Sequence, residues 1–396
     1  MKRKLYYELE KESDSNKISL IVGPRQVGKT TLLKQLKDKF KGVYIDFDVV
    51  DNVERFGTYK SFINSLKLEG YDEKDKFYVF IDEFQNHSGF AKVLKNIYDN
   101  HKNIKIYASG SSSVKIKNEV QESLAGRKFL HYLYPLDFEE FLLFKKEDIN
   151  RLKKLTNFEG ELPVQEFKEL LEEFMIFGSY PEVVLSNDKK KILDSIFDLF
   201  IKKDLVNYLK LDEVIGMKKL IQYISVNNAK KLNISELSHK LGLARYKTES
   251  YLEILEETFI LKRVAPYYVN KNKEITKAYK EYFIDPGVRN YFCNNFNSFD
   301  LRNDVGFLFE TFVLGEIVKN SNYEVKFWED KRKNEVDFII DKVHDIVALE
   351  IKYKDNLKSS DYKGLSKLNI AKSYLVNLKK QDNKHLLPFS INSVLD

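Results

Sequence analysis

Gly23-Pro24-Arg25-Gln26-Val27-Gly28-Lys29-Thr30 is a complete phosphate-binding loop, and its flanks restrict what the surrounding chain can fold into. Ile18-Ser19-Leu20-Ile21-Val22 before it has the β-branched, bounded character of a buried strand, and Thr31-Leu32-Leu33 with Leu36 and Phe40 repeats at helical spacing after it. Strand, loop and helix in that order predict an α/β fold. Gly23 and Gly28 let the backbone curl into a nest whose N–H groups face phosphate oxygens. Lys29 reaches the β/γ-phosphates, and the Thr30 hydroxyl is placed to ligate Mg2+. Gly23, Gln26, Val27, Gly28, Lys29, Thr30 and Thr31 are therefore expected to line a bound nucleotide, with Arg25 turned outward.

The chain holds 396 residues, and a prior of roughly 100–200 residues per domain predicts two to three domains. An apolar share of 43% against 32% charged residues is that of a globular protein with sizeable cores, and no apolar run approaches the roughly 18 residues of a membrane span. The start, Met1-Lys2-Arg3-Lys4-Leu5-Tyr6-Tyr7, has basic residues but no apolar stretch after them, so no secretory signal is expected. The lone Cys293 excludes an intramolecular disulfide and a cysteine-based zinc site, and a cytoplasmic location is expected. A net charge of +6 is weak support for a nucleic-acid partner, because the cations are mostly Lys interleaved with Asp and Glu.

Val43-Tyr44-Ile45-Asp46-Phe47 reads as a second strand, and Phe77-Tyr78-Val79-Phe80-Ile81-Asp82-Glu83 as an apolar run ending in two carboxylates, a Walker B pattern. Ligands of open α/β sheets gather outside the carboxyl ends of the strands, so Asp82 is expected beside the loop, holding Mg2+ through water. Glu83 then orients and polarises the attacking water. A further strand, Ile104-Lys105-Ile106-Tyr107-Ala108, ends in Ser109-Gly110-Ser111-Ser112-Ser113. For Ser109 and Ser111 two readings stand open: hydrogen bonds to the γ-phosphate or the water, or an ordinary helix cap.

These motifs make the chain resemble the prokaryotic AAA-type ATPases whose C-terminal part is a domain of unknown function, DUF4143. The resemblance rests on Gly-Pro-Arg-Gln-Val-Gly-Lys-Thr-Thr at 23–31, Ile-Asp-Glu at 81–83, Gly-Ser-Ser-Ser at 110–113 and Ala-Gly-Arg at 125–127. It continues through Pro-Leu-Asp-Phe-Glu-Glu-Phe at 135–141 and Gly-Ser-Tyr-Pro-Glu-Val-Val at 178–184, and covers nearly the whole chain. Ser179 departs from the usual Gly-Gly. The resemblance implies an AAA-like fold that hydrolyses ATP over residues 1–145, and leaves room for a homo-oligomer with active sites completed between subunits. Arg127 is the candidate to meet charge on the γ-phosphoryl group, in cis or from a neighbouring subunit; a solvated surface ion pair is the competing reading.

From about Phe138 to Asn227 the pattern is helical, with Leu170, Leu171, Phe174, Met175 and Phe177 on one face and Ile192, Ile196, Leu199 and Phe200 on another. We assign 146–228 to a helical region. Residues 229–298 look like a winged helix-turn-helix: a capped helix opens at Asn233-Ile234-Ser235, Leu241-Gly242-Leu243 turns, Lys247 to Glu257 forms a second helix, and Ile260 to Val264 a strand. In a DNA reader Arg245, Tyr246, Lys247 and Ser250 would face bases and phosphates, with Lys271, Lys273, Lys277 and Lys280 on the wing. Glu249, Glu253, Glu256 and Glu257 on the same helix favour a protein-docking module instead.

In residues 299–396, Glu310 lies on an apparent amphipathic helix (Phe307, Phe309, Phe312, Val313, Ile317). Asn334 to Ile340 and Ile346 to Lys352 then read as two strands. A hairpin with the four-residue loop Lys342 to Asp345 sets Asp337 opposite Glu350 and Glu335 opposite Lys352, side chains about 5 Å apart on one face. Carboxylates that close repel unless a cation joins them. The set Glu310, Asp337, Glu350 and Lys352 resembles the PD-(D/E)XK nuclease signature, which implies a Mg2+ site; an alternating solvent-facing salt-bridge ladder is the competing reading. Together the motifs predict a Mg-ATP-hydrolysing protein acting on nucleic acid, DNA favoured, through winged-helix and nuclease-like domains. The alternative is an ATP-dependent switch that docks a protein partner through a catalytically silent nuclease-like domain.

Overall fold

The apolar runs of the N-terminal part pair into one sheet, all in the same direction. In the computed structural model, which describes residues 1–111, 123–156, 158–205, 209, 211–268, 278–342, 345–368 and 370–395, strands β1 (Ile18–Gly23), β2 (Val43–Asp46), β3 (Phe77–Asp82), β4 (Ile104–Ser111) and β5 (Lys128–Tyr132) take the order β2-β3-β4-β1-β5. Every pairing is parallel. β1 and β4 are buried at every position, as parallel strands covered on both faces must be. Helices α1 (Lys4–Lys11), α2 (Lys29–Phe40), α3 (Val50–Phe56), α4 (Tyr59–Leu68) and α5 (Phe90–Asn100) belong to the same unit, Met1–Tyr134 with Glu257–Phe259. Its core joins Ile45, Val79, Ile81 and Ile106 of the sheet to Phe62, Leu66, Phe90 and Leu94 of the helices. Each such side chain contributes roughly 1.5–3 kcal/mol by leaving water.

Parallel pairing gathers the carboxyl ends at one edge: Gly23 is in register with Ser111, and Asp46 with Asp82. The phosphate-binding loop and the Walker B carboxylates thus share the edge where α/β sheets bind ligands. β5 is not evident from hydropathy, because Lys128 and His131 interrupt its apolar residues. Beside β1 at the edge of the sheet it is only half-buried, so the strand needs no continuous apolar run.

The second unit, Pro135–Glu256 with Ile260–Asp396, has a mixed seven-stranded sheet in the order β12-β11-β10-β9-β8-β6-β7. Its strands are β6 (Leu261–Pro266), β7 (Lys280–Phe283), β8 (Glu324–Glu329), β9 (Glu335–Asp341), β10 (Ile346–Ile351), β11 (Lys372–Val376) and β12 (His385–Leu386). β6 pairs antiparallel with β7 and parallel with β8, so these two strands extend the sheet that carries Asp337 and Glu350. The sheet therefore runs across the 298/299 boundary expected from sequence.

The middle of the chain is helical, as its periodicity predicts, with small shifts of face. On the helix Leu162–Phe177 the buried positions are Pro163, Val164, Phe167, Leu171, Phe174 and Met175, while Leu170 and Phe177 are only partly covered. On Lys189–Leu199 they are Leu193, Ile196 and Phe197, not Ile192 and Leu199. Gly178 ends the first of these at φ 76°, and Ser179 repays its departure from glycine: its N–H and hydroxyl donate to Asp285 Oδ2 at 2.8 and 2.9 Å, and Lys319 donates to the hydroxyl at 3.0 Å. Helix α6 (Ile234–Leu241) is capped by Asn233, Gly242 turns at φ 65°, and α7 spans Arg245–Glu257, starting two residues earlier than its sequence suggests. Lys271, Lys273 and Lys277 lie outside the described residues, as do Ser112 and Ser113.

Helix α8 (Val305–Asn320) is not amphipathic. Apart from the half-buried Glu310 it is buried from Leu308 to Ile317, and Phe307, in its first turn, is exposed. Helix α9 (Lys363–Leu368) approaches β9 so closely that a Cβ on Gly364 would lie 1.8 Å from the Glu335 carbonyl oxygen. Backbone cannot yield as a flexible side chain does, so Gly364→Ala is expected to lower stability by roughly 1–3 kcal/mol. Urea denaturation of the whole chain checks this; an unchanged midpoint for the second unit contradicts the packing.

Candidate functional site

At the carboxyl edge of the parallel sheet, Gln26 at φ 61° and Gly28 at φ 97° bend the loop into its nest, and Gly28 caps α2. Gly23 is sterically obligatory, since a Cβ there would sit 2.0 Å from the Leu133 carbonyl oxygen. The Lys29 ammonium, 4% exposed, donates to the carbonyls of Gly23 and Pro24 at 2.9 and 2.8 Å, folded over the loop it serves. Thr30 is half-buried in the first turn of α2, and Thr31 is exposed. The Gln26 Oε1 atom is buried without a hydrogen-bond partner, an orphaned acceptor on the cradle itself.

Asp82, 2% exposed, ends β3 with both carboxylate oxygens engaged: Tyr44 donates to Oδ2 at 2.8 Å and Ser109 to Oδ1. Burial, followed by the hydrogen bond to Asp82, pushes the Tyr44 hydroxyl well above its ordinary pKa, so it remains a donor. Glu83 sits in the left-handed region at φ 50°, an unfavourable conformation for a non-glycine residue, and Gln85 donates both to its carboxylate and to Ser111 Oγ, the latter at 2.9 Å. Ser109 is thus not a helix cap. It lies inside β4, fully buried, and orients Asp82.

Arg127 is not brought to this edge. It precedes β5, whose Lys128 is in register with Ile18, the far end of β1, so about 17 Å of strand separates it from the loop. Its guanidinium is forked onto Asp99 at 2.8 and 3.2 Å. The surface ion pair describes Arg127 within its own chain. Arg3 does reach the loop: it is buried and donates to the carbonyls of Val27 and Tyr134, both at 2.9 Å. No motif marks Arg3 or Gln85; Tyr44, two residues before Asp46 on the same strand face, could have been found by strand alternation.

The second unit has an open cavity of about 490 Å3, whose lining includes Glu310, Glu335, Asp337, Glu350, Lys280 and Lys352. β9 and β10 pair antiparallel, with Lys342 N–H donating to the Asp345 carbonyl at 2.8 Å and a register running from Ile346–Asp341 to Leu349–Phe338. Asp337 and Glu350 follow next along the two strands. There the side chain replaces the ladder, Ile351 N–H donating to Asp337 Oδ2 at 2.8 Å. Glu335 is not paired with Lys352. β10 ends at Ile351, the Lys352 N–H turns to the Val376 carbonyl, and Glu335 meets Lys280 instead. Lys280 is therefore no wing residue: it is buried in β7 beside the carboxylates.

The Lys352 ammonium lies 2.5 Å from Glu350 Oε1, 3.1 Å from the Ile351 carbonyl and 3.6 Å from Asp337 Oδ2. Burial, then the charge of Asp337, pushes the carboxyls of Glu310 and Glu350 up to about 8. Burial opposes the charge on Lys352 and Lys280, but the surrounding carboxylates outweigh it and hold both above the usual lysine range. A solvent-facing ladder would be exposed. Asp337 and Glu350 are 6% and 7% exposed, and buried ion pairs stabilise a fold little because desolvation offsets attraction.

Two carboxylates and a carbonyl are hard oxygen donors of the kind Mg2+ takes, and Glu350 Oε2 is buried without a partner. Glu310 does not complete a triad. It accepts from Tyr282 at 3.2 Å, and among the described residues no three His, Cys, Asp or Glu side chains are grouped to hold a metal ion. On α7, Arg245 is paired with Glu249 and Lys247 with Glu213, while Tyr246 is exposed.

Comparison with known proteins divides the chain in three. Residues 15–142 match a family model described as an AAA domain, 168–298 one described as a domain of unknown function, DUF8612, and 305–390 another, DUF4143. An uncharacterized protein of Methanocaldococcus jannaschii is 27% identical over 345 residues, 82% of this chain and 72% of that one. One from Haemophilus influenzae is 25% identical over 356 residues, 86% and 84% of the two chains. Among solved structures, the Walker-type ATPase of Pyrococcus abyssi is similar over 74% of this chain and 95% of its own, at 15% identity and a TM-score of 0.46. No helix among the described residues is long and apolar enough to cross a membrane.

Proposed function

From an AAA domain joined in one chain to a DUF4143 domain, we propose that the chain binds and hydrolyses Mg-ATP at its N-terminal sheet and uses the turnover to act on nucleic acid. What supports the first part is the meeting of Lys29, Asp82 and Glu83 at one sheet edge, with Asp82 oriented by two side-chain donors and the Glu83 N–H. Lys29 exchanges the Gly23 and Pro24 carbonyls for phosphate oxygens, and the backbone N–H groups of the nest hold the β-phosphate. Thr30 and Asp82 would hold Mg2+, which neutralises charge developing on the phosphates. Glu83 accepts the proton of the attacking water, its carboxylate fixed by Gln85. Arg127, closed onto Asp99, serves the γ-phosphoryl group only if a neighbouring subunit of a homo-oligomer presents it.

In this reading residues 1–145 are the ATPase part and 146–228 a helical region, while 229–298 are a winged-helix-like part whose two strands extend the sheet of the nuclease-like part, 299–396. Buried Asp337 and Glu350 would hold Mg2+ at a phosphodiester, and Lys352 balances their charge or that of the substrate. Incubating the chain with Mn2+ and linear, circular and branched DNA is expected to yield products that Asp337→Ala abolishes. No product from the unmodified chain, or equal cleavage by the variant, overturns the nuclease assignment. The ion pairs of Arg245 and Lys247 favour a second reading for α7, a surface that docks a protein partner. ATP turnover insensitive to DNA would select it.

A further inference from the structure

Phe307 is an apolar side chain in an unexpected place. It lies in the first turn of α8, three residues before Glu310 and so on the same helix face, yet the residue is 37% exposed while the helix behind it is buried. The ring lines the cavity that holds Asp337, Glu350 and Lys352. It also lines a second cavity of about 370 Å3, to which Glu310, Lys352, Tyr353 and Lys354 contribute. Phe307, Glu310 and Lys352 are common to both, so the ring stands at the junction of two cavities flanking the carboxylates.

Cations rim the first cavity on fixed backbone. The segment bearing Lys230 and Lys231 is pinned to β7, where Ala229 N–H donates to the Glu281 carbonyl at 2.8 Å and Lys231 bridges to Lys280. Lys333 lies at φ 60° in the turn between β8 and β9, a turn closed by Asp330, which accepts from the N–H groups of Arg332 and Asn334. Lys230 stands 5.6 Å over the Phe307 ring. That is a loose cation–π distance, from which the ammonium can swing to a phosphate.

An aromatic face beside lysines and a phosphoryl-type centre is the chemistry that holds an unpaired nucleotide: a base stacks on the ring while its phosphates meet the ammoniums. A duplex keeps its bases stacked inside and offers no free π-face to a ring within a cavity. The cavity, about 490 Å3, falls in the roughly 300–1,000 Å3 range of a small-ligand site, room for one unpaired nucleotide. We infer that Phe307 is a base-stacking residue and that this cavity takes a single-stranded or splayed nucleic-acid segment, one base on Phe307 and its flanking phosphates on Lys230 and Lys333. The inference rests on the nucleic-acid role proposed above for the same cavity.

The test is fluorescence anisotropy of the whole chain with Ca2+ in place of Mg2+, using a short labelled single strand, the same strand with abasic sites, and the blunt duplex. Phe307→Ala is expected to weaken single-strand binding by about tenfold, as loss of one stacked base does, and duplex binding by less than about twofold. Abasic substitution should cost the unmodified chain a similar factor and cost the variant nothing further. Phe307→Trp should retain affinity and show indole quenching on binding. Equal effects of Phe307→Ala on strand and duplex, or an abasic penalty that persists in the variant, overturn the stacking role while the nucleic-acid reading stands. No binding of any probe by the unmodified chain overturns both.

Discussion

Lys29→Ala is expected to lower ATP turnover by about 100- to 1,000-fold, the loss seen when one preorganised donor is taken from a developing anion. The side chain is buried and already points into the loop, so its ammonium needs no long search to reach phosphate. Removing it leaves the Gly23 and Pro24 carbonyls without their donor in the nucleotide-free state, and the phosphates without their cation in the bound one. Both nucleotide affinity and turnover should therefore fall. A steady-state phosphate-release assay combined with binding of a fluorescent ATP analogue separates the two, and turnover within threefold of the unmodified chain is incompatible with Lys29 as the phosphate ligand.

Glu83→Gln has an expected effect of similar size and opposite character. The substitution keeps shape and removes the base, so turnover should drop by about 100- to 10,000-fold while ATP stays bound. The left-handed backbone at Glu83 and the Gln85 hydrogen bond hold the side chain in place before substrate arrives, and glutamine occupies the same space. After a single turnover with limiting ATP, unhydrolysed nucleotide should co-elute with the variant but not with the unmodified chain. Undiminished hydrolysis would refute the assignment of Glu83 as base.

What the sequence discloses follows from how local each signal is. The loop at 23–30 and the pair Asp82-Glu83 are written in consecutive residues, and the period-two pattern with its four-residue turn places Asp337 and Glu350 next to each other in the hairpin. The rest depends on which strand lies beside which. Ser109 stays open between a phosphate contact and a cap until parallel pairing puts it next to Asp82, and Arg127 between a γ-phosphoryl role and a surface ion pair until β5 starts beside the far end of β1. Lys280 reads as a wing residue until β6 and β7 join the sheet and carry it to Glu335. Phe307 has the hydropathy of a core residue; only the packing of α8 leaves its ring at the cavity.

The claim that joins the two units is that ATP turnover responds to nucleic acid. Steady-state ATP hydrolysis by the whole chain, titrated with single-stranded DNA at low and moderate salt, tests it most directly. The expected rate is Mg2+-dependent, rises with DNA, falls as salt displaces phosphate contacts, and disappears in Lys29→Ala. A rate identical at every DNA and salt concentration would contradict it.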